Sequence, residues 1–201
     1  MIDVVRNGPL LTLTINRPDK ANALTETMLS DLADAVTSSE ASVLVLTGAG
    51  RVFSAGADLD DVRGGNLATS PQWERLSGAI AAFEGLSVAA LNGSCAGGAM
   101  GMMLACDLRI AVAGARVFYP VIKIGVLPQP SDPARLVALV GRGTAKRILL
   151  TGVKLNAEDA LACGLIDQIS GPNMAADLDA LIAPALAADP GQVRKIKAMI
   201  G

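Results

Sequence analysis

The sequence predicts an α/β protein with a mostly parallel core sheet and helices packed outside it. Three observations support this class: strand-length apolar runs alternate with helical patterns, 51% of the residues are hydrophobic, and glycine or proline marks most transitions. The length of 201 residues favours a single core. We place that core at residues 1–170 and a C-terminal helical segment at 171–201.

The first elements are identified by their periodicity. Leu10–Asn16 alternates apolar and polar residues, as a half-buried strand does. A helix is predicted from Thr25 to about Thr37, with Thr25 as its N-cap. Val43–Leu46 is a short continuous apolar run, which is typical of a strand buried on both faces.

The central elements follow a glycine- and alanine-rich loop. Ser70-Pro71 is expected to open a helix with proline in the first position, and Gly85 is expected to end it. The apolar stripe of this helix is Trp73, Leu76, Ile80 and Phe83. The next elements are a strand at Val88–Leu91, a helix at Ala99–Cys106 and a strand at Leu108–Val112.

The last third is predicted to be largely helical. Short helices are expected to start at Asp132-Pro133, Thr144 and Asn156 and to close at Gly141, Gly152 and Gly164. A final strand is predicted at Leu165–Ile169, and an alanine-rich helical region begins at Met174.

Charge and composition exclude several classes of function. The net charge is −2 and no lysine or arginine cluster is present, so nucleic acid and anionic membranes are poor partners. The absence of histidine removes Ser-His-Asp and Cys-His catalysis and the commonest metal ligand, so we expect no metal site. The three cysteines indicate buried free thiols in a reducing cytoplasm.

One uncharged stretch, Gly85–Cys106, is long enough to suggest a membrane span. Asn92-Gly93-Ser94 interrupts it, and Asp107 and Arg109 follow directly. A buried strand–turn–helix explains this stretch better, and we expect no membrane span.

Two glycine-rich turns share one design. The strand Val43–Thr47 leads into Gly48–Asp58, and the strand Val88–Leu91 leads into Asn92–Gly98. Glycine permits positive φ and close backbone approach, so two such turns facing one cleft could hold an oxygen between two N–H donors. Each turn taken alone is equally consistent with simple punctuation between a strand and a helix. A dinucleotide site is disfavoured, because the glycine spacing is wrong and no acid follows Leu108–Val112.

Five segments in register resemble the enoyl-CoA hydratase/isomerase, or crotonase, family. They are NRPDKANAL (16–24), VLVLTGAGRVFSAGADL (43–59), NGSCAGGAMGMMLACDLRIA (92–111), KIGVLP (123–128) and LVGRGTAKRILLTGVKLNAEDALACGLIDQI (139–169). The resemblance implies a crotonase-like (ClpP/crotonase) spiral of ββα units, here with a shortened C-terminal helical region. It also implies a homotrimer or hexamer.

The resemblance assigns roles to particular residues. The backbone N–H groups of Ala57 and Gly98 would form an oxyanion hole for a thioester oxygen. The residues along coenzyme A would be Lys20, Ala21, Ala55, Asp58 and Leu59. Lys20 would be the one to meet a phosphate, although a solvated surface lysine is an equal alternative. Coenzyme A would enter as part of the substrate, with no separate cofactor.

The chain departs from the family where catalysis is expected. The two glutamates of the hydratases correspond to Gly101 and Val121, and neither can transfer a proton. The aspartate of a dienoyl isomerase-like branch corresponds to Gln129.

The remaining polar candidates are interpreted mainly as structural residues. Asp132 is interpreted as a helix N-cap, Asp58 and Asp60 as caps or loop hydrogen bonders, and Cys95 as core. Tyr119 is either a proton donor or a packing residue.

Two functions fit these residues. The first is a crotonase-family enzyme that polarises the thioester carbonyl with Ala57 and Gly98, although ordinary hydratase activity is doubtful. The second is a non-catalytic carrier or binding protein for fatty acyl-CoA. Backbone donors bind a ground-state carbonyl as well as a developing anion, so the sequence does not separate the two. In either case we expect a cytoplasmic protein whose ligand is an acyl-CoA thioester.

Overall fold

A computed structural model describes residues 1–64 and 67–200. The strands are β1 Ile2–Asn7, β2 Leu10–Ile15, β3 Val43–Gly48, β4 Val52–Ser54, β5 Leu86–Leu91, β6 Ser94–Ala96, β7 Leu108–Val112, β8 Arg116–Phe118, β9 Leu155–Asn156 and β10 Gln168–Ser170. The helices are α1 Glu26–Thr37, α2 Leu59–Gly64, α3 Gln72–Ala81, α4 Ala99–Ala105, α5 Val121–Ile124, α6 Asp132–Thr151, α7 Ala157–Ala162, α8 Met174–Ala187 and α9 Pro190–Ile200. Single 3₁₀ turns occur at Pro18–Lys20 and Leu67–Thr69.

The strands form two sheets that the chain visits in alternation. The larger sheet has the order β1-β2-β3-β5-β7-β10 and is parallel except for the β1–β2 pair. The smaller sheet has the order β4-β6-β8-β9, with β4, β6 and β8 parallel. Each of β3, β5 and β7 is followed by a short strand of the smaller sheet and then by helix. This repeated ββα unit is the crotonase-like spiral that the resemblance implied.

The core lies between the larger sheet and helices α1, α3 and α4. All of the residues of α4 are buried, which explains why its sequence is apolar on every side. The four apolar positions predicted for α3, Trp73, Leu76, Ile80 and Phe83, are also buried. A second apolar cluster on the other face of the sheet packs Val45, Val88 and Ile110 against α8.

Several element predictions are confirmed with small shifts. Thr25 caps α1 by accepting a hydrogen bond from the Met28 amide. Helix α3 begins at Gln72 rather than at Pro71, and it ends at Ala81, before Gly85. The last strand comprises Gln168–Ser170 rather than 165–169, because the first of those residues continue the turn after α7.

The helices predicted to start at Asp132 and Thr144 form one element with a break. Gly141 has φ 72° and ψ 165°, which interrupts α6 where the sequence predicted an end. Gly152 closes α6 in the left-handed conformation, and Asn156 caps α7 as predicted. Strand β1 and the short strands of the smaller sheet were not predicted from the sequence.

The three cysteines are free, and the apolar stretch 85–106 forms β5, β6 and α4, the strand–turn–helix that the sequence predicted. Cys95 and Cys106 are buried free thiols, and Cys163 is a half-buried one. Burial raises the pKa of Cys95 far above its ordinary value and that of Cys106 to about 12, so these two thiols stay protonated. Across residues 1–64 and 67–200, no helix combines the length and the apolar character that crossing a bilayer requires.

Candidate active site

A pocket of about 320 Å³ lies where the two glycine turns meet. Its walls come from both turns, from the segment after β8 and from the chain that follows α5. The lining residues are mostly apolar: Ala55, Ala57, Val62, Ala68, Trp73, Ala96, Gly97, Gly98, Phe118, Tyr119, Pro120, Val121, Ile124, Val126, Leu127 and Gln129. A larger cleft of about 570 Å³ beside Val36, Glu84 and Arg194 has no glycine among its described wall residues.

The two turns are brought together by the parallel pairing of β4 with β6. Gly56 has φ 92° and Gly97 has φ 57°, and both conformations favour glycine. A β-carbon on Gly56 would stand 2.7 Å from the carbonyl oxygen of Ala96 and 2.9 Å from the amide nitrogen of Gly98. Glycine at this position therefore lets the first turn rest directly against the second.

The amides of Ala57 and Gly98 are free donors in the wall of this pocket. Their neighbours are engaged: Gly56 donates to Ser54 Oγ, Asp58 to the Leu24 carbonyl, and Gly97 to the Phe118 carbonyl. Within the described part of the chain, neither Ala57 N–H nor Gly98 N–H donates a hydrogen bond. The structure thus brings together the two residues that the sequence singled out and leaves their amides available to a ligand oxygen.

Gly98 is also constrained by a tryptophan. A β-carbon there would stand 2.8–3.0 Å from three atoms of the Trp73 ring. The indole is itself fixed, because its Nε1–H donates to the Leu67 carbonyl at 2.7 Å. The close contact with the ring holds the second turn at a defined depth in the pocket.

The first turn is anchored by Asn22, a residue that the sequence patterns did not single out. Its buried amide donates to the carbonyls of Ala49 and Val52 and accepts from the Arg17 amide. Asn22 has φ 56°, a conformation that asparagine tolerates better than most residues. The sequence signal available for Asn22 was its position inside the segment NRPDKANAL (16–24).

Asp58 is a second anchor, as its interpretation as a cap predicted. Its carboxylate accepts from Arg17 Nη1 at 2.6 Å and from the amides of Asp60 and Asp61 at the start of α2. Burial alone would raise the pKa of Asp58, but these hydrogen bonds outweigh it and lower the pKa. Both oxygens of the Asp58 carboxylate are therefore engaged in contacts that hold the fold.

The other residues predicted along coenzyme A lie in the first turn or are linked to it. Ala21 is held against Ala55, whose amide donates to the Ala21 carbonyl at 3.0 Å. Lys20 is exposed, and its Nζ lies 3.4 Å from Asp60 Oδ2. Leu59 begins α2, and its side chain lies outside the described residues.

The positions that correspond to the family glutamates are both buried. Val121 begins α5 and lines the pocket with its apolar side chain. Gly101 lies in α4, where a β-carbon would stand 2.9 Å from Oδ1 of Asp132. Gln129 also lines the pocket, and its side-chain amide donates to the Ala68 carbonyl.

Asp132 does not cap a helix, and this corrects the sequence interpretation. It is the first residue of α6, and Ser131 occupies the N-cap position. The Asp132 carboxylate turns instead toward Tyr119, whose hydroxyl donates to Oδ2 at 2.8 Å. The hydroxyl of Tyr119 also accepts from the backbone N–H of Gln129 at 3.2 Å. Tyr119 is therefore a hydrogen-bonded wall residue rather than packing alone.

In the part of the chain that the structure describes, the second oxygen of Asp132 has no hydrogen bond. Oδ1 is buried, and the Arg135 guanidinium lies 3.9 Å away. Burial raises the pKa of Asp132 to about 6, with Glu74 adding to the shift and Tyr119 and Arg135 opposing it. Burial likewise raises the pKa of the Tyr119 phenol, and Asp132 raises it further.

Residues 1–64 and 67–200 contain no cluster of side chains suited to a metal ion.

Comparison with known proteins adds a family to this geometry. A sequence profile described as enoyl-CoA hydratase/isomerase matches residues 6–198. The 2,3-dehydroadipyl-CoA hydratase of Escherichia coli is 36% identical over 176 residues, which cover 83% of this chain and 68% of that protein. The short-chain-enoyl-CoA hydratase of Clostridium acetobutylicum is 32% identical over 177 residues, covering 84% and 68%.

Solved structures show the same likeness. An enoyl-CoA hydratase from Mycobacterium avium subsp. paratuberculosis matches with a TM-score of 0.90 and 33% identity, over 99% of this chain and 80% of its own. Pseudomonas aeruginosa DspI matches with a TM-score of 0.89 and 33% identity, over 99% and 79%.

Proposed function

Because this chain belongs to the enoyl-CoA hydratase/isomerase family, we propose that it binds an acyl-CoA thioester and polarises the thioester carbonyl with two backbone amides. Those amides are the N–H groups of Ala57 and Gly98. Coenzyme A enters as part of the ligand, along Lys20, Ala21 and Ala55.

The observation that carries this proposal is the pair of unengaged amides in one apolar pocket. Ala57 and Gly98 are partly buried and line the same pocket, and neither N–H has an acceptor among the described residues, so one ligand oxygen is a suitable partner for both. In a site that excludes water, such donors stabilise the negative charge that develops on a thioester oxygen, and loss of one typically costs about 2.7–4 kcal/mol of transition-state energy.

We further propose that ordinary β-hydration is not the main activity. Hydration needs one group to supply a proton to carbon and another to activate water, and each is worth about 10²–10⁴-fold in rate. Gly101 and Val121 occupy the corresponding positions and carry no titratable group. The apolar wall at Val121 suits an acyl chain instead.

Assembly and compartment complete the proposal. We expect a homotrimer or hexamer in the cytoplasm, where the free thiols remain reduced. Light scattering coupled to size-exclusion chromatography measures the assembly directly.

Calorimetry with matched ligands tests the proposal. Butyryl-CoA and its thioether analogue, S-butyl-CoA, differ only in the carbonyl oxygen. Two hydrogen bonds of about 1 kcal/mol each predict at least tenfold tighter binding of the thioester. Equal affinities for the two ligands would contradict the proposed oxyanion hole. No heat of binding with any acyl-CoA from butyryl to palmitoyl would contradict the proposed function as a whole.

Hydration is tested separately with crotonyl-CoA. Loss of the enoyl absorbance should be slow or absent at enzyme concentrations that give saturating binding. Turnover at the median enzymatic rate, about 10 s⁻¹, would show that the chain carries a hydratase mechanism without the two glutamates.

A further inference from the structure

Tyr119 and Asp132 stand out once the oxyanion pocket is defined. Tyr119 lines the same pocket as Gly97 and Gly98, and its hydroxyl donates to Asp132. Asp132 is only 1% exposed. The chain thus places a carboxylate, joined to a phenol, next to the pocket that would receive the thioester.

The surroundings of Asp132 do not account for it as a structural group. Within residues 1–64 and 67–200, Oδ1 has no hydrogen bond and only a 3.9 Å contact with Arg135, Oδ2 accepts only from the Tyr119 hydroxyl, and Asp132 does not cap α6. A buried carboxylate oxygen without a partner opposes folding. Costly titratable groups of this kind gather at sites where a proton is moved.

Gly101 provides the room that the carboxylate occupies. A β-carbon on Gly101 would come within 2.9 Å of Oδ1, so any side chain there would displace Asp132. The carboxylate from α6 therefore fills the space beside α4 that a side chain at 101 would otherwise take.

The geometry points to Tyr119 as the proton-transfer residue of this pocket, with Asp132 as the positioning residue that receives the proton through it. This inference rests on the proposed function, because the α-hydrogen of the bound thioester is the proton in question. Glu74 and Arg135 are the other charged groups that act on Asp132, and the Asp132 charge in turn contributes to the raised pKa of Cys95.

The step balances without a further reactant. The α C–H bond breaks and its electron pair forms an enolate, whose charge rests on the oxygen held by Ala57 and Gly98. The Tyr119 oxygen takes the α-proton while the phenol proton passes to Oδ2 of Asp132. The backbone N–H of Gln129, which already donates to the Tyr119 oxygen, stabilises the charge on that oxygen during the transfer. If the protons held by Tyr119 and Asp132 exchange with solvent before one returns to the α-carbon, the α-hydrogen is replaced from water; return of a proton to the γ-carbon of a β,γ-enoyl chain gives isomerisation.

Two readouts in the intact protein test this inference. The first is deuterium incorporation at the α-carbon of butyryl-CoA in D₂O, followed by mass spectrometry. The second is conversion of 3-butenoyl-CoA to crotonyl-CoA, which does not depend on exchange with solvent. Tyr119→Phe and Asp132→Asn should each lower both rates by at least about 100-fold. Butyryl-CoA affinity should change less than threefold.

The matched control is Asp34→Asn, which removes an exposed carboxylate that pairs with Arg75. It should leave both rates and the affinity unchanged. The wild-type rates should rise with pH through about 6, as Asp132 becomes a base, and that limb should be missing in Asp132→Asn. A role in folding alone would not move the pH profile.

The outcomes separate the two proposals. If butyryl-CoA binds the wild type but neither exchange nor isomerisation occurs, this inference is overturned and the binding function stands. Wild-type rates in Tyr119→Phe would overturn it equally. If no acyl-CoA binds, the proposed function fails first. Should Asp132→Asn not fold, Tyr119→Phe and the wild-type pH profile decide the matter.

Discussion

Asp58 and Asp132 are two buried carboxylates whose environments are opposite; Asp58 follows the pocket residue Ala57, and Asp132 accepts from the pocket residue Tyr119. Asp58 accepts from an arginine and two backbone amides, and its pKa is lowered. Among the described residues, Asp132 accepts only from the Tyr119 phenol, its other oxygen has no hydrogen bond and only a 3.9 Å contact with Arg135, and its pKa is raised to about 6. The carboxylate with three donors holds a turn in place, whereas the one with a single donor is the group for which we propose proton transfer.

The largest expected effect comes from breaking the satisfied site. Arg17→Met should lower the free energy of unfolding by about 3 kcal/mol at pH 7, because it leaves the Asp58 charge buried without its cation. Urea denaturation measures this. Since the pKa of Asp58 is lowered in the folded state, the loss should shrink as the pH falls below the unfolded value of 3.8.

A matched variant distinguishes this from a general charge effect. Arg75→Met removes an exposed ion pair with Asp34 and should cost less than about 1 kcal/mol. An equal loss of unfolding free energy in the two arginine variants would show that the buried Asp58 pair is no more important than an exposed ion pair.

The unsatisfied site should respond in the opposite direction. Asp132→Asn should raise the free energy of unfolding by up to about 3 kcal/mol above pH 6, because the pKa rises from 3.8 to about 6 and each pKa unit corresponds to about 1.4 kcal/mol. The raised pKa means that the folded state favours the protonated form, so the gain should vanish below about pH 4. Thermal unfolding from pH 4 to 8 measures the crossover. A variant less stable than the wild type at pH 8 would show that the carboxylate supports the fold.

Gly101 offers a smaller, coupled effect. Gly101→Ala should destabilise the protein by about 1–2 kcal/mol through the contact with Asp132 Oδ1. In an Asp132→Ala background the same change should be nearly neutral, and a double-mutant cycle reports that coupling. Gly114→Ala, where a β-carbon meets no atom within 4 Å, is the control. Additive effects of the two changes would place the carboxylate elsewhere.

The smallest stability effect is expected on the solvent side of the first turn. Lys20→Ala should change the free energy of unfolding by less than about 1 kcal/mol, since its pair with Asp60 is exposed. If Lys20 meets a phosphate, affinity for free coenzyme A should fall severalfold, and calorimetry with coenzyme A tests this. Unchanged affinity would leave Lys20 as a solvated surface residue.

Sequence patterns predicted most of the long elements, but they missed β1, which is largely exposed, and the short strands of the smaller sheet. Strands β3, β5 and β7 have enough buried residues in succession to be recognised, and Thr25 and Asn156 cap helices where expected. The strands of the smaller sheet span only two or three residues, too few for alternation to appear. Their pairing depends on contacts between distant segments, which no local pattern contains.

The site divides in the same way. The two glycine turns were evident from their composition, and the close contact of Gly56 with the second turn explains why glycine stands there. The prediction of Asp132 as a cap is wrong, because Asp before proline at a helix start is a common cap pattern that here has a different geometry. Only the fold brings residues 101, 119 and 132 together. Buried polar groups such as Asn22 and Asp132 are defined by their partners, and partners are distant in sequence.

The most direct measurement is vibrational spectroscopy of a thioester labelled with ¹³C at its carbonyl and bound to the protein. Polarisation by the amides at 57 and 98 predicts that the carbonyl stretch moves to lower frequency on binding, beyond its position in water. A bound thioester whose carbonyl frequency equals or exceeds the value in water would contradict the oxyanion pocket and every step built on it.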